Sequence, residues 1–178
     1  MTESLPTFKY HPNPVATGMV VASDTVCICC ERSRGYIYIG PAYSIEELDE
    51  SLCPWCIADG SAYRKFDVSF ADSHPLIQAG LNHVIIEEVH LRTPSYISWQ
   101  QESWLSHCND ACEFHGDASV ADVANASPET KSHWLAEYKQ DEKGWLWVTD
   151  GYRPGSDSAL YKFVCRNCQL VLFGWDLS

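Results

Sequence analysis

Cys27-Ile28-Cys29-Cys30 and Cys53-Pro54-Trp55-Cys56 are the two stretches on which the reading of this chain turns. Each holds two cysteines with two residues between them, and 22 residues separate Cys30 from Cys53. Two intervening residues let the backbone fold back so that both thiolates face one ion, and a second pair completes a tetrahedron. This is close to the spacing of a zinc site. The β-branched and aromatic runs Val20 to Val26 and Tyr36 to Ile39 predict strands on either side of the first pair. Pro54 suits the first turn of a helix reaching Phe66 despite Gly60. A knuckle after a strand, a hairpin, then a second pair at a helix start is a treble-clef pattern, and the positive end of the helix favours thiolates there.

A second set lies farther along: Cys108-x3-Cys112 and Cys165-x2-Cys168, with 52 residues between them. That gap is compatible with an insertion inside one site, because loop closure grows costlier only slowly with length. Four pairs can be shared between two sites in three ways. The sequential one gives Cys27, Cys30, Cys53 and Cys56 to one zinc and Cys108, Cys112, Cys165 and Cys168 to another; a cross-brace is the alternative. Cys29 is left over and reads as a buried or idle small residue. His107 and His115 flank the Cys108 pair, and either could displace a cysteine. His11, His74, His83, His90 and His133 are scattered without ligand spacing. Neither knuckle has glycine after its second cysteine, where positive φ is often needed: Glu31 and Gln169 stand there.

Composition narrows the function. The chain has 178 residues, an average apolar share of 46%, and 24 acidic against 12 basic residues for a net charge of −12. It is long enough for one domain with a proper core. The charge repels phosphate backbones, and no basic cluster offsets it, which argues against general nucleic-acid binding and favours a protein partner, a basic one being best suited to the charge. No run reaches the length of a membrane span, and MTESLPTFKY has neither the basic nor the apolar region of a secretory signal. The expectation is a cytoplasmic protein, where close cysteine pairs are metal ligands or redox centres more often than disulfides. Oligomeric state is not legible.

The remaining elements are read from pattern. Leu5 to Pro14 is expected to be an extended arm docked on the domain. Ser44 with Glu47 resembles a capping box and predicts a short helix through Leu52. Val84 to Ile86 looks strand-like, and Ser95 to His107 shows helical spacing. Ser127-Pro128-Glu129 starts a helix that Gly144 should end, with Trp145 to Val148, Leu160 to Val164 and Leu170 to Trp175 as strands. The resulting class is α+β, with small antiparallel sheets and short helices organised by two zinc sites of four cysteines each. The expected division is a single domain over 1–178, with a first zinc module at 17–70, a second at 95–116 plus 160–178, and an insertion at 117–159.

Two enzymatic readings stand beside the structural-zinc one, and no set of nucleophile, base and orienting group is evident in the sequence. Trp99, Gln100, Trp104, His107 and Asp110 could line a pocket beside a catalytic metal. Cys53-Pro54-Trp55-Cys56 could be a thiol redox motif, although the strand that should precede it is missing. Three stretches taken together resemble the CbrC family of bacterial proteins: Leu5-Pro6-Thr7-Phe8-Lys9-Tyr10-His11-Pro12, Cys53 to Ala62, and Trp99-Gln100 through Trp104 and His107-Cys108-Asn109-Asp110 to Cys112. The resemblance resumes at Phe163 to Cys168. It implies a cytosolic bacterial protein with both cysteine sets and an association with tolerance to a colicin, and it supplies no catalytic residues.

Overall fold

The computed structural model describes residues 3–177. In chain order it comprises β1 (Val20–Ala22), β2 (Tyr36–Tyr38), α1 (Pro54–Ala58), α2 (Ser61–Phe66), α3 (His74–Gln78), α4 (His83–Arg92), β3 (Ser106–His107), β4 (Asp110–Ala111), β5 (Glu113–Asp117), α5 (Val120–Ala124), α6 (Pro128–Glu137), α7 (Glu142–Thr149), β6 (Ser158–Val164) and β7 (Val171–Leu177). The sheets are the antiparallel pairs β1-β2 and β3-β4 and the antiparallel three-stranded β5-β6-β7. The α+β class with small antiparallel sheets and short helices is therefore what the chain adopts.

The β6-β7 hairpin is the middle layer. Because side chains alternate across a strand, Ala159, Tyr161, Phe163 and Leu172 face one core, while Leu160 and Phe173 face another. The first core also holds the β1-β2 region, helices α1 to α4 and the N-terminal arm. The second is capped by α5, α6 and α7 through Val123, Trp134, Trp145 and Val148. Gly174 sits opposite Tyr161, and a Cβ there would lie 3.2 Å from the Phe163 ring and 3.4 Å from Tyr161 Cβ. A side chain at 174 would crowd the aromatic cluster in which Phe114 and Tyr96 stack at 4.3 Å.

Several local expectations give way to tertiary demands. The stretch after Ser44 is not helical. Its hydroxyl bonds the Phe66 carbonyl, Glu50 adopts φ +50°, and Leu52 accepts from the Tyr38 amide as an extended residue. That route delivers Cys53 to the start of α1. Gly60, at φ +72°, splits the expected single helix into α1 and α2. Residues 84–86 are helical because Asn82 caps α4, its side chain accepting from the Val84 amide. Residues 95–105 form a closed loop instead of a helix: the Tyr96 hydroxyl donates to the Ser103 carbonyl and accepts its amide, and the Asp176 carboxylate receives the amides of Trp99 and Gln100. Gly144 does not end a helix; Asp141 caps α7, which carries Trp145 and Val148 inward.

The arm is docked, as its prolines suggest. The Phe114 amide donates to the Tyr10 carbonyl, and His11 is fully buried between the Pro94 carbonyl and Thr17 Oγ1, 2.7 Å from each. Burial pulls the His11 imidazole down from 6.5 to about 4, against the opposing pull of the Pro94 carbonyl. Below pH 6.5 the unfolded chain therefore binds a proton that the folded chain refuses, so stability present above 6.5 is lost as pH falls toward 4. The loss at this one site is about 3 kcal/mol. His11→Gln should flatten the decline of unfolding free energy between pH 6.5 and 4 by roughly that amount. An unchanged slope would assign the acid sensitivity to other groups.

Candidate metal centres

The first centre is built from a turn and a helix start. After β1 the chain makes a knuckle in which the Glu31 amide donates to the Cys27 carbonyl and the Cys27 amide to the Arg32 carbonyl. Cys53 is the N-cap of α1, and Pro54 opens the helix. Together these bring Cys27, Cys30, Cys53 and Cys56 within 4.8 Å of one another. The Sγ separations are 3.8 Å for Cys27 to Cys56, 3.8 Å for Cys30 to Cys53 and 3.5 Å for Cys53 to Cys56. Zinc–sulfur bonds of about 2.3 Å in a tetrahedron require sulfurs about 3.8 Å apart, so the donor set fits the ion. Cys27 and Cys53 are wholly buried and Cys56 nearly so. The Cys53 amide also donates to Cys27 Sγ at 3.2 Å, and Lys65 Nζ holds the Ile28 and Cys29 carbonyls.

Electrostatics says what such a cluster needs. The close thiols of Cys53 and Cys56 hold the Cys27 thiol far below its ordinary range, and the same closeness pushes Cys53 up to about 12 and raises Cys56 strongly. Ionising one sulfur thus opposes ionising its neighbours, and a bound divalent ion reverses that by deprotonating coordinated thiols outright. Cys29 stands outside the group, half-buried, with its thiol 3.6 Å from Ser61 Oγ.

The second centre joins two hairpin ends. Cys108 and Asn109, at φ +52° and +56°, form the two-residue turn between β3 and β4, with His107 paired to Asp110 across it. Positive φ at both positions marks the hairpin turn whose twist matches its strands. The knuckle between β6 and β7 repeats the first one: the Gln169 amide donates to the Cys165 carbonyl and the Cys165 amide to the Leu170 carbonyl. The group brought within 4.8 Å is His107, Cys108, Cys165 and Cys168. His107 Nδ1 lies 3.3 Å from Cys108 Sγ and 3.4 Å from Cys168 Sγ. A tetrahedral zinc with one imidazole and sulfur neighbours calls for about 3.6 Å.

The gathered group holds His107 where the spacing suggests Cys112. Because Cys108 occupies the turn itself, the chain runs straight on through β4, and the Cys112 amide pairs with the Leu105 carbonyl farther down the ladder. Its side chain is fully buried, its carbonyl accepts the Trp104 indole, and burial drives its thiol well above the ordinary range. His107 is the fourth residue of the group that could hold an ion. His115 lies outside, against Glu113. Among the described residues, no candidate ligand group mixes the first cysteine set with the second.

The expected aromatic pocket does not assemble. Trp104 is buried in the first core, Trp99 is 63% exposed, and Asp110 accepts from the Tyr10 hydroxyl and pairs with Arg166 at 3.1 Å. Arg166 also reaches Glu113, and Asn167 donates to the Cys108 carbonyl, so the knuckle is tied to the β3-β4 hairpin by contacts independent of any ion. The Cys165 thiol is held below its ordinary range. Burial acts upward most strongly, yet the Cys168 amide and the neighbouring donors bring it down to about 6.

Fold and site define an α+β protein with two metal-ligand clusters, one of four cysteines and one of three cysteines and a histidine, each capable of holding an ion. Residues 5–177 match the family described as "Uncharacterised protein family (UPF0167)", and the chain belongs to it. It is 46% identical to UPF0167 protein PA1536 of Pseudomonas aeruginosa over the full length of both. It is 41% identical to UPF0167 protein Mb2317 of Mycobacterium bovis and to UPF0167 protein MT2352 of Mycobacterium tuberculosis, over 96% of this chain and 92% of each relative. No solved structure matches. No helix among the described residues is long and apolar enough to cross a membrane.

Both knuckles place a non-glycine residue at positive φ, Glu31 at +57° and Gln169 at +62°. Glu31→Gly should leave unfolding free energy within about 1 kcal/mol of the parent, because relieved strain offsets added chain entropy. Glu31→Val should cost about 2 kcal/mol more than Glu31→Gly, read by chemical denaturation, since a β-branched residue tolerates this conformation least.

Proposed function

We propose that this is a zinc protein whose two ions are structural, serving a protein-interaction role or a stress or toxin-tolerance role in the cytoplasm. The observation that carries the metal part is the set of Sγ separations of 3.5 to 3.8 Å among Cys27, Cys30, Cys53 and Cys56, which fits zinc coordination. Four protein ligands at each centre complete a tetrahedron and leave no place for a reacting water, whereas catalytic zinc keeps one open. This supports binding over catalysis, as does the dispersal of Trp99, Trp104 and Asp110. The thiol redox reading of Cys53 and Cys56 is weakened by the presence of Cys27 and Cys30 in the same cluster. The net charge of −12 supports a basic partner. The tolerance role rests on the CbrC resemblance.

In this reading the chain is one domain with a first zinc module over 17–70, a second formed by 95–116 and 160–178, and an insertion over 117–159 that builds the helical cap. The zinc of the inner centre would contribute on the order of 10 kcal/mol to folding. Elemental analysis of protein purified without added metal should give two zincs per chain. Cys112→Ala should keep both while lowering stability by about 1 to 3 kcal/mol, and His107→Ala should weaken or lose one. Well-folded protein without zinc would refute the metal part. A partner whose binding does not weaken with salt would refute the role of the acidic charge.

A further inference from the structure

The two centres differ in a way that bears on what each does with its ion. At the first, three of four sulfurs are sealed: Cys27 and Cys53 are 0% exposed, Cys56 is 2% exposed, and only Cys30 is half-buried. At the second, Cys108 and Cys168 are exposed, His107 is half-buried, and Cys165 alone is sealed. A cleft of 790 Å³ opens directly onto His107 and Cys168, walled by Glu129, Ser132 and His133 of α6. Resting on the metal reading above, we infer that the outer centre is an exchangeable metal site, giving up its ion to soft competing ligands and regaining it, while the inner centre keeps its ion as long as the fold lasts.

The physical reason is the route of ligand exchange. Zinc has no ligand-field preference and expands readily to five-coordination, so an incoming thiolate or chelator displaces a resident ligand once it can touch the ion. At the outer centre the cleft gives that approach, and His133 and Glu129 offer an imidazole and a carboxylate along it. The His133 ring already lies 6.2 Å from that of His107. At the inner centre the half-buried Cys30 is the single open edge, and the other three sulfurs are covered by the main core.

Emptying the outer centre also leaves its frame standing. Arg166 bridges Asp110 and Glu113, Asn167 holds the Cys108 carbonyl, and the β6-β7 ladder runs unbroken to Val164 and Val171. None of these contacts passes through the ion. The site can therefore refill without refolding, which an exchangeable centre requires.

The test uses the intact zinc-loaded chain and the chromogenic chelator 4-(2-pyridylazo)resorcinol. Two release phases of one equivalent each are expected, separated by about tenfold or more in rate. Alkylation with N-ethylmaleimide after the fast phase, read by mass spectrometry, should label Cys108 and Cys168 and spare Cys27, Cys30, Cys53 and Cys56. Cys168→Ser should abolish the fast phase and keep the slow one. Release of both equivalents at one rate, or early labelling of the four inner cysteines, would overturn the inference and leave the zinc reading intact. Protein carrying no zinc would overturn that reading itself. The alkylation pattern of the parent chain decides the matter even if the variant fails to fold.

Discussion

Four sulfur atoms drawn from a knuckle and a helix start meet inside the main core, and much of the first half of the chain is shaped by getting them there. Cysteine thiols at this spacing hinder one another's ionisation, which is visible in Cys27 falling while Cys53 and Cys56 rise. A divalent cation removes the conflict. The unusual backbone around it follows from this demand. Glu31 accepts positive φ to close the knuckle, Glu50 does so to turn the chain, and the chain reaches Leu52 extended so that Cys53 arrives at the N-terminus of α1.

The second half is organised differently, by a sheet used on both faces. The β6-β7 hairpin buries alternate residues in two cores, and its connecting knuckle supplies two of the ligands of the outer cluster. The β3-β4 turn supplies the other two. The metal-ligand pattern thus closes a long segment, including the α5 to α7 cap, between two neighbouring points of the fold. The one arginine of the outer knuckle is paired, Arg166 lying against Asp110 and Glu113.

The inner site was legible because its signal is local. Cys-x2-Cys twice, with proline after Cys53, encodes a knuckle and a helix start without reference to the rest of the fold. The outer site was half legible. Cys165 and Cys168 have the same local geometry, whereas the choice between Cys112 and His107 depends on a two-residue turn at Cys108-Asn109 that lacks the Asn-Gly or Asp-Gly of a strong hairpin signal. Strand and helix assignments failed where distant partners decided them. Residues 95–105 have helical spacing, yet the Asp176 carboxylate and the Tyr96 hydroxyl tie up the amides of Trp99, Gln100 and Ser103. Trp145 to Val148 read as strand from its composition, and the Asp141 cap made it helix. The helix start at Ser127-Pro128 and the strands at Leu160 and Leu170 were legible because caps and continuous apolar runs carry their own instructions.

The proposed function requires two ions at these two clusters, with seven sulfurs and one imidazole placed to hold them. Diffraction from crystals of the purified protein, recorded on both sides of the zinc absorption edge, measures this most directly. Two anomalous peaks are predicted, one among Cys27, Cys30, Cys53 and Cys56 and the other among His107, Cys108, Cys165 and Cys168, with Cys112 beyond bonding distance. A folded protein with no peak at either cluster, or with Cys112 bound in place of His107, would contradict it.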